Sequence, residues 1–186
     1  MRWGMTIDLT SCVGCYACVV ACDIEHFSPR GISWLDLAPW EDRKHPALSG
    51  GTFQLRCNHC AQAPCVSVCP TRATQRRPDG IVWTDQDKCV GCNCCVVACP
   101  YQRQKFVDGI KDQFPNQGPT DFERIGREVY PHQVGTAEKC NFCKERIDSG
   151  LRNGKTPGID REATPACVVT CQARALTFGD LDDPTS

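Results

Sequence analysis

What this sequence has little of narrows its reading first. No stretch approaches the roughly 18 consecutive apolar residues that a membrane-spanning helix needs, so none is expected to cross a bilayer. Ile, Leu, Val and Phe together supply 37 of 186 residues, about a fifth, the level at which chains stop burying enough apolar surface to fold unaided. An excess of one charge is missing too. With 21 Lys and Arg against 22 Asp and Glu the net charge is −1, so the chain has no basic footprint for nucleic acid. Nucleophile elbow, phosphate loop and G-x-G-x-x-G are all absent, so neither a catalytic site nor a direct small-molecule substrate is expected. The run Met1-Arg-Trp-Gly-Met-Thr-Ile-Asp8 has one basic residue, no apolar segment and no twin arginine. No secretory or twin-arginine leader is expected from it.

What is abundant is cysteine. The 17 Cys are at the density of a disulfide or metal scaffold. An odd number cannot pair fully within one chain, and disulfide frameworks spread their cysteines over loops. Here they fall into four tight clumps. The first is Cys12, Cys15, Cys18 and Cys22, spaced C-x2-C-x2-C-x3-C. The second is Cys57, Cys60, Cys65 and Cys69, spaced C-x2-C-x4-C-x3-C and followed by Pro70. The third, Cys89, Cys92, Cys95 and Cys99, repeats the spacing of the first and is followed by Pro100. The fourth is split into Cys140 with Cys143 and Cys167 with Cys171. These are sixteen candidate ligands, with Cys94 left over.

This grammar suits iron–sulfur cubes. A C-x2-C-x2-C loop wraps three corners of one [4Fe–4S] cluster, and the x3 step opens a helical turn that carries the fourth Cys to another cluster, as in two-cluster ferredoxins. The segments Ala17–Glu25 and Cys95–Cys99 contain no breaker and are expected to be helical. Zinc is the competing reading, because C-x2-C knuckles also build zinc ribbons. Two knuckles suffice for one zinc ion, however, and do not explain four-Cys runs ending in Cys-Pro. Cys94 competes with Cys95 for the third position of its clump, but only Cys95 keeps the x2 and x3 steps. His59, inside Cys57-Asn-His-Cys60, is read as lying behind the ligands or exposed, not as a ligand.

Clumps two and three both end in Cys-Pro and are joined by Thr74–Trp83, where Pro78-Asp79-Gly80 marks a hairpin turn. Clumps one and four lack the proline and form the other pair. The expected fold is α+β: two bacterial-type two-cluster ferredoxin units, one nested in the other, with long loops. Residues 50–108 are the inner unit, and 1–49 with 109–186 the outer one. Crossing the fourth ligands gives four sets: Cys12, Cys15, Cys18 with Cys171; Cys140, Cys143, Cys167 with Cys22; Cys57, Cys60, Cys65 with Cys99; and Cys89, Cys92, Cys95 with Cys69. Four dianionic sites would take the formal charge from −1 to about −9. Arg56, Lys88 and Lys139 each precede the first Cys of a clump. They are either ordinary solvated cations or charges that favour reduced clusters. Residues 27–50, with Trp34 and Trp40, and 106–137, with Phe114, Phe122 and Tyr130, are expected to be long loops, serving as a cover or as a partner interface with aromatic anchors.

These segments resemble the iron–sulfur subunit of the dimethyl sulfoxide reductase family of molybdopterin oxidoreductases, most of all the polysulfide, thiosulfate and tetrathionate reductase subunits. The resemblance rests on Cys12–Cys22, Arg56–Thr71, Asp87–Tyr101, Glu138-Lys-Cys-Asn-Phe-Cys143-Lys-Glu-Arg146, Thr164–Cys171 and Phe178–Pro184, nearly the whole chain. Relatives of the nitrate reductase type have Trp at the second Cys of the third clump and a [3Fe–4S] cluster there. Cys92 stands at that position here, so four [4Fe–4S] clusters are implied. Gln172 departs from the family, which often has Pro, but proline is not a ligand. The resemblance implies a wire between a molybdopterin catalytic subunit and an integral membrane, quinone-reactive anchor, with the outer unit facing the former. A polyferredoxin-type carrier serving a hydrogenase or formate dehydrogenase is the alternative. Membrane association through a partner is expected, after assembly in the cytoplasm; the final face, periplasmic by co-export or cytoplasmic, stays open.

Overall fold

A computed structural model describes residues 1–42 and 49–185. In chain order its elements are β1 (Trp3–Ile7), α1 (Ala17–Glu25), β2 (Asp36–Asp42), β3 (Ser49–Leu55), α2 (Pro64–Ser67), β4 (Thr74–Arg76), β5 (Val82–Thr84), α3 (Cys94–Ala98), β6 (Lys105–Phe106), α4 (Asp121–Val129), β7 (Ala137–Glu138), α5 (Lys144–Arg152), α6 (Ala166–Val169) and β8 (Leu176–Asp180). The strands form two-stranded antiparallel pairs: β1 with β8, β2 with β3, β4 with β5 and β6 with β7. The short helices start within or just after the Cys loops, as the x3 steps require.

Internal contacts divide the chain into two compact units. One comprises 1–21, 35–55 and 142–186, and the other 22–34 and 56–141. This division differs from the partition expected from the sequence in where it puts 22–34, 50–55 and 109–141. Two local causes are visible. Residues 50–55 belong to β3, whose register pairs Leu37 with Gln54 and Trp40 with Gly51. The expected loop over 27–50 is therefore partly a hairpin; Pro39, Gly50 and Gly51, which strands disfavour, hide it. The turn of that hairpin, with His45 and Pro46, lies outside the described residues. Residues 26–34 join 130–138 through an aromatic cluster: His26 meets Trp34 edge-on at 4.4 Å and stacks on Tyr130 at 5.4 Å. Trp34 is thereby buried and is not available as an interface anchor.

The first unit is closed by β1 and β8, which pair Trp3 with Asp180 through Ile7 with Leu176. Trp3 stacks on Phe178 at 5.7 Å, and Phe142 meets Phe178 edge-on at 5.3 Å. In the second unit, β4 and β5 form the hairpin that Pro78-Asp79-Gly80 signals. Gly80 takes φ +89°, Arg77 N–H donates to Ile81 O at 2.8 Å, and Ile81 N–H donates to Asp79 Oδ1 at 3.2 Å. The expected loop over 106–137 contains α4, fixed by a capping box in which Thr120 Oγ1 accepts from Glu123 N–H and the Glu123 carboxylate accepts from Thr120 N–H at 2.7 Å. The Thr-x-x-Glu spacing is its signal in the sequence. The core of this unit is partly thiol: Ala63, Cys65, Val82, Cys95 and Ala137 pack together, with Cys60 and Cys89 against them.

Candidate metal centres

One backbone device repeats in all four clumps. The residue before the second Cys is left-handed each time: Gly14 at φ +64°, His59 at +46°, Gly91 at +68° and Phe142 at +59°. Glycine is required most at Gly91, where a Cβ would collide with Gly135 O, and at Gly14, where it would crowd the Thr52 hydroxyl. A second device follows the last Cys of three clumps. Arg72, Gln102 and Arg174 are left-handed, and their N–H groups donate to Cys69 O at 3.2 Å, Cys99 O at 3.0 Å and Cys171 O at 3.1 Å. The chain entering the first clump is set by Asp8. Its carboxylate accepts from the Ser11 hydroxyl at 2.6 Å and from the Thr10 hydroxyl at 2.6 Å and N–H at 2.9 Å, which holds its pKa at about 2.

The thiols stand around cavities. In the first unit Cys12, Cys15, Cys18 and Cys171 line one walled by Ile7, Leu37, Ala175 and Leu176, with Tyr16 and Gln54 among its polar members. Burial raises the Cys18 pKa, while a hydrogen bond from Gln54 opposes this. In the second unit Cys57, Cys60, Cys65 and Cys99 line another, with Lys139, Arg103 and Gln104 in its wall. Burial and the neighbouring Cys57 raise the Cys60 pKa; burial also raises that of Cys65, against the pull of Lys139 and Gln104.

Around the third clump, burial and the neighbouring thiols of Cys89, Cys65 and Cys69 push the Cys95 pKa up to about 11. Burial would raise the Cys69 pKa as well, but Thr74 N–H, 3.4 Å from its sulfur, and the Thr71 hydroxyl bring it below the ordinary value. Cys95 is buried, whereas Cys92 and Cys94 are exposed. Of the remaining set, Cys22, Cys140, Cys143 and Cys167 are each buried. Backbone N–H groups also reach sulfur within the second clump and after the third: His59 to Cys57 and Arg103 to Cys99, both at 3.4 Å. Such donors favour thiolate and raise the potential of a cluster bound there. His59 is buried, not exposed, and its Nδ1 accepts from Val82 N–H at 3.0 Å. Burial, then Lys139 and Arg56, hold its pKa well below the ordinary value, so it is a neutral support behind the thiols.

Among the described residues no three His, Cys, Asp or Glu side chains gather as they would around one ion. The donor set is all thiol, and it surrounds spaces instead of converging on points. The Gln104 amide is buried at one of these cavities with neither of its polar atoms hydrogen-bonded within the chain. These features fit a polynuclear, sulfur-ligated group better than a tetrahedral zinc ion, whose ligands all lie about 2.0–2.3 Å from one centre.

Known proteins agree with this chemistry. A 4Fe-4S dicluster domain matches residues 50–113. The whole chain aligns with a protein of Halobacterium salinarum assigned as the iron–sulfur subunit of a dimethyl sulfoxide reductase, at 38% identity and over 68% of that protein. The chain belongs to the iron–sulfur subunits of the dimethyl sulfoxide reductase family. It also aligns throughout with a tetrathionate reductase subunit of Salmonella typhimurium, at 35% identity and over 60% of its length, and with the arsenate respiratory reductase iron–sulfur subunit of a Shewanella species, at 34% and 85%. Two of these three relatives are named as iron–sulfur subunits of reductases. The ferredoxin-like, mixed helix and strand content and the presence of [4Fe–4S] chemistry follow from this membership. No helix among the described residues is long and apolar enough to cross a membrane.

Proposed function

We propose that the chain carries four [4Fe–4S] clusters and relays electrons between a molybdopterin catalytic subunit and an integral membrane, quinone-reactive anchor. The observation that carries this reading is the mixed membership of the two cavities: Cys171 stands with Cys12, Cys15 and Cys18, and Cys99 with Cys57, Cys60 and Cys65. By the same crossing rule Cys69 completes the set of Cys89, Cys92 and Cys95, and Cys22 that of Cys140, Cys143 and Cys167. Two nested two-cluster units, 50–108 within 1–49 and 109–186, would result. Each cluster takes up and releases one electron. The protein's part is to fix thiol positions, surround them with N–H donors, and keep water from the buried sulfurs.

Partner docking is supported by apolar side chains left exposed at the Cys loops. Val13, Tyr16 and Val20 are about half exposed or more at the first clump, and Val90, Val97 and Tyr101 at the third. Such residues suit faces that a partner buries. Membrane association through the anchor, at either face, belongs to this proposal. The test is to purify the native assembly and assay iron, acid-labile sulfide and partners. About 16 Fe per chain and a large pterin-bearing subunit are expected. A stable lone monomer with all its iron would favour the carrier that serves a hydrogenase or formate dehydrogenase, and zinc without sulfide would end the cluster reading.

A further inference from the structure

Lys139 immediately precedes Cys140, yet its side chain lines the cavity of Cys57, Cys60, Cys65 and Cys99. It is buried, and its ammonium donates to Val82 O and, at 3.1 Å, to Cys140 O. Both acceptors are neutral, and among the described residues no carboxylate pairs with it. A buried ammonium without a counter-charge is costly. Evolved interiors hold one where an anion completes the site. Arg56 is buried close by, its guanidinium donating to Cys57 O at 3.3 Å. Among the described residues, no cation lines the Cys12, Cys15, Cys18 and Cys171 cavity. Lys88, which precedes Cys89 as Lys139 precedes Cys140, is exposed and paired with Asp85 at 2.7 Å.

Resting on the cluster reading above, we propose that Lys139 is the counter-charge of the cluster held by Cys57, Cys60, Cys65 and Cys99, and that it selectively raises that cluster's reduction potential. Four thiolates around an oxidised cube carry about −2, and uptake of one electron takes the site to about −3 with no bond made or broken. The electron comes from a neighbouring cluster of the relay or, in the test, from dithionite. A fixed positive charge in the wall favours the more negative state. Lys139 neither gives nor takes an electron; it is a positioning charge.

The test is an EPR-monitored redox titration of the cluster-loaded chain, wild type and variants, with iron and sulfide measured on each sample. Lys139→Gln keeps amide donors for the two carbonyls but removes the charge. At fixed potential the reduced-to-oxidised ratio of the cluster lost in Cys99→Ser should fall about tenfold, equivalent to about 59 mV for a one-electron couple. The other signals should stay in place, Lys139→Arg should hold the wild-type ratio, and Lys88→Gln should move no signal. If Lys139→Gln loses that cluster while Lys139→Arg keeps it, charge is again the cause. An unmoved potential in Lys139→Gln, an equal shift in Lys88→Gln, or loss of the cluster in both Lys139 variants overturns the inference. Failure of the cluster reading looks different: wild type would then lack iron and sulfide in the first place.

Discussion

Cys12, Cys15, Cys18 and Cys171 face one another across walls of Ile7, Leu37, Ala175 and Leu176, while Cys57, Cys60, Cys65 and Cys99 share theirs with Lys139, Arg103 and Gln104. The ligand grammar of the two cavities is nearly the same, three thiols from one loop and one from a distant segment. Their dielectric surroundings are not. An apolar wall disfavours added negative charge, and a cationic wall favours it. One loop motif can therefore be tuned without touching its cysteines. The residues that tune it come from other parts of the chain, and motif spacing does not report them.

The largest effects should come from breaking each cavity at its distant thiol. Cys171→Ser and Cys99→Ser should each remove one cluster, a loss of about 4 Fe from about 16, with a different EPR signal missing in each. The same signal lost in both would mean that the two cavities do not hold separate clusters. The third clump offers a parallel pair: Cys92→Ala should destroy or convert one cluster, while Cys94→Ala should leave all signals intact.

Next in size is a stabilising device confined to the unit of the second cavity. His132 Nδ1 lies 2.8 Å from both Glu138 carboxylate oxygens, and its Nε2 lies 2.8 Å from His26 O. Both ring nitrogens face acceptors, so the imidazolium fits best. Trp34 Nε1 and Gln86 Nε2 donate to the same carboxylate at 3.1 and 2.8 Å. Burial would lower the His132 pKa, but Glu138 and the backbone carbonyls outweigh it and the net shift is upward. The stabilisation is therefore complete below the unfolded pKa of about 6.5 and is lost as pH rises through the raised folded value. His132→Gln leaves a buried carboxylate without its cationic partner and should cost about 3–5 kcal/mol. Unfolding midpoints at pH 6 and pH 9 check both statements: wild type should lose part of its advantage over the variant at the higher pH.

How much of this is legible in the sequence follows from where each signal resides. The helix over Ala17–Glu25 and the Pro78-Asp79-Gly80 hairpin are readable because propensity and turn chemistry are local. The β2–β3 hairpin is not, because Pro39, Gly50 and Gly51 interrupt its alternation. Helix α4 has its signal in Thr120 and Glu123 but sits in a stretch dominated by Pro and Gly. The cysteine sets are readable as spacing. Lys139 stands out in the sequence only as the neighbour of Cys140; adjacency in sequence does not give side-chain direction, and its ammonium belongs to a different set of thiols.

Backbone strain gives a smaller contrast between the units. Gly91→Ala, in the second, places a Cβ against Gly135 O at φ +68°. Backbone cannot step aside, so a loss of about 1–3 kcal/mol is expected, with weakened cluster retention. Gly14→Ala, in the first unit, meets the Thr52 hydroxyl, which can rotate, so only the left-handed penalty of about 1–2 kcal/mol remains. Equal losses in denaturant unfolding of the two variants would remove this distinction.

The smallest expected effects isolate the amides. Each cavity has one buried glutamine near the third Cys of its loop. Gln54 hydrogen-bonds Cys18, whereas the Gln104 amide lies short of a full hydrogen bond yet near enough to favour the Cys65 thiolate. A net hydrogen bond contributes about 0.5–1.5 kcal/mol, a change of about 2- to 12-fold in the reduced-to-oxidised ratio. In the apolar wall Gln54 is the amide that hydrogen-bonds a thiol, so Gln54→Leu should shift its cluster toward the upper end of that range. Beside Lys139 the amide adds little to a charge already present, so Gln104→Leu should fall at the lower end. If Gln104→Leu shifts its cluster more than Gln54→Leu does, then local donors, and not the charge in the wall, set the difference between the two cavities.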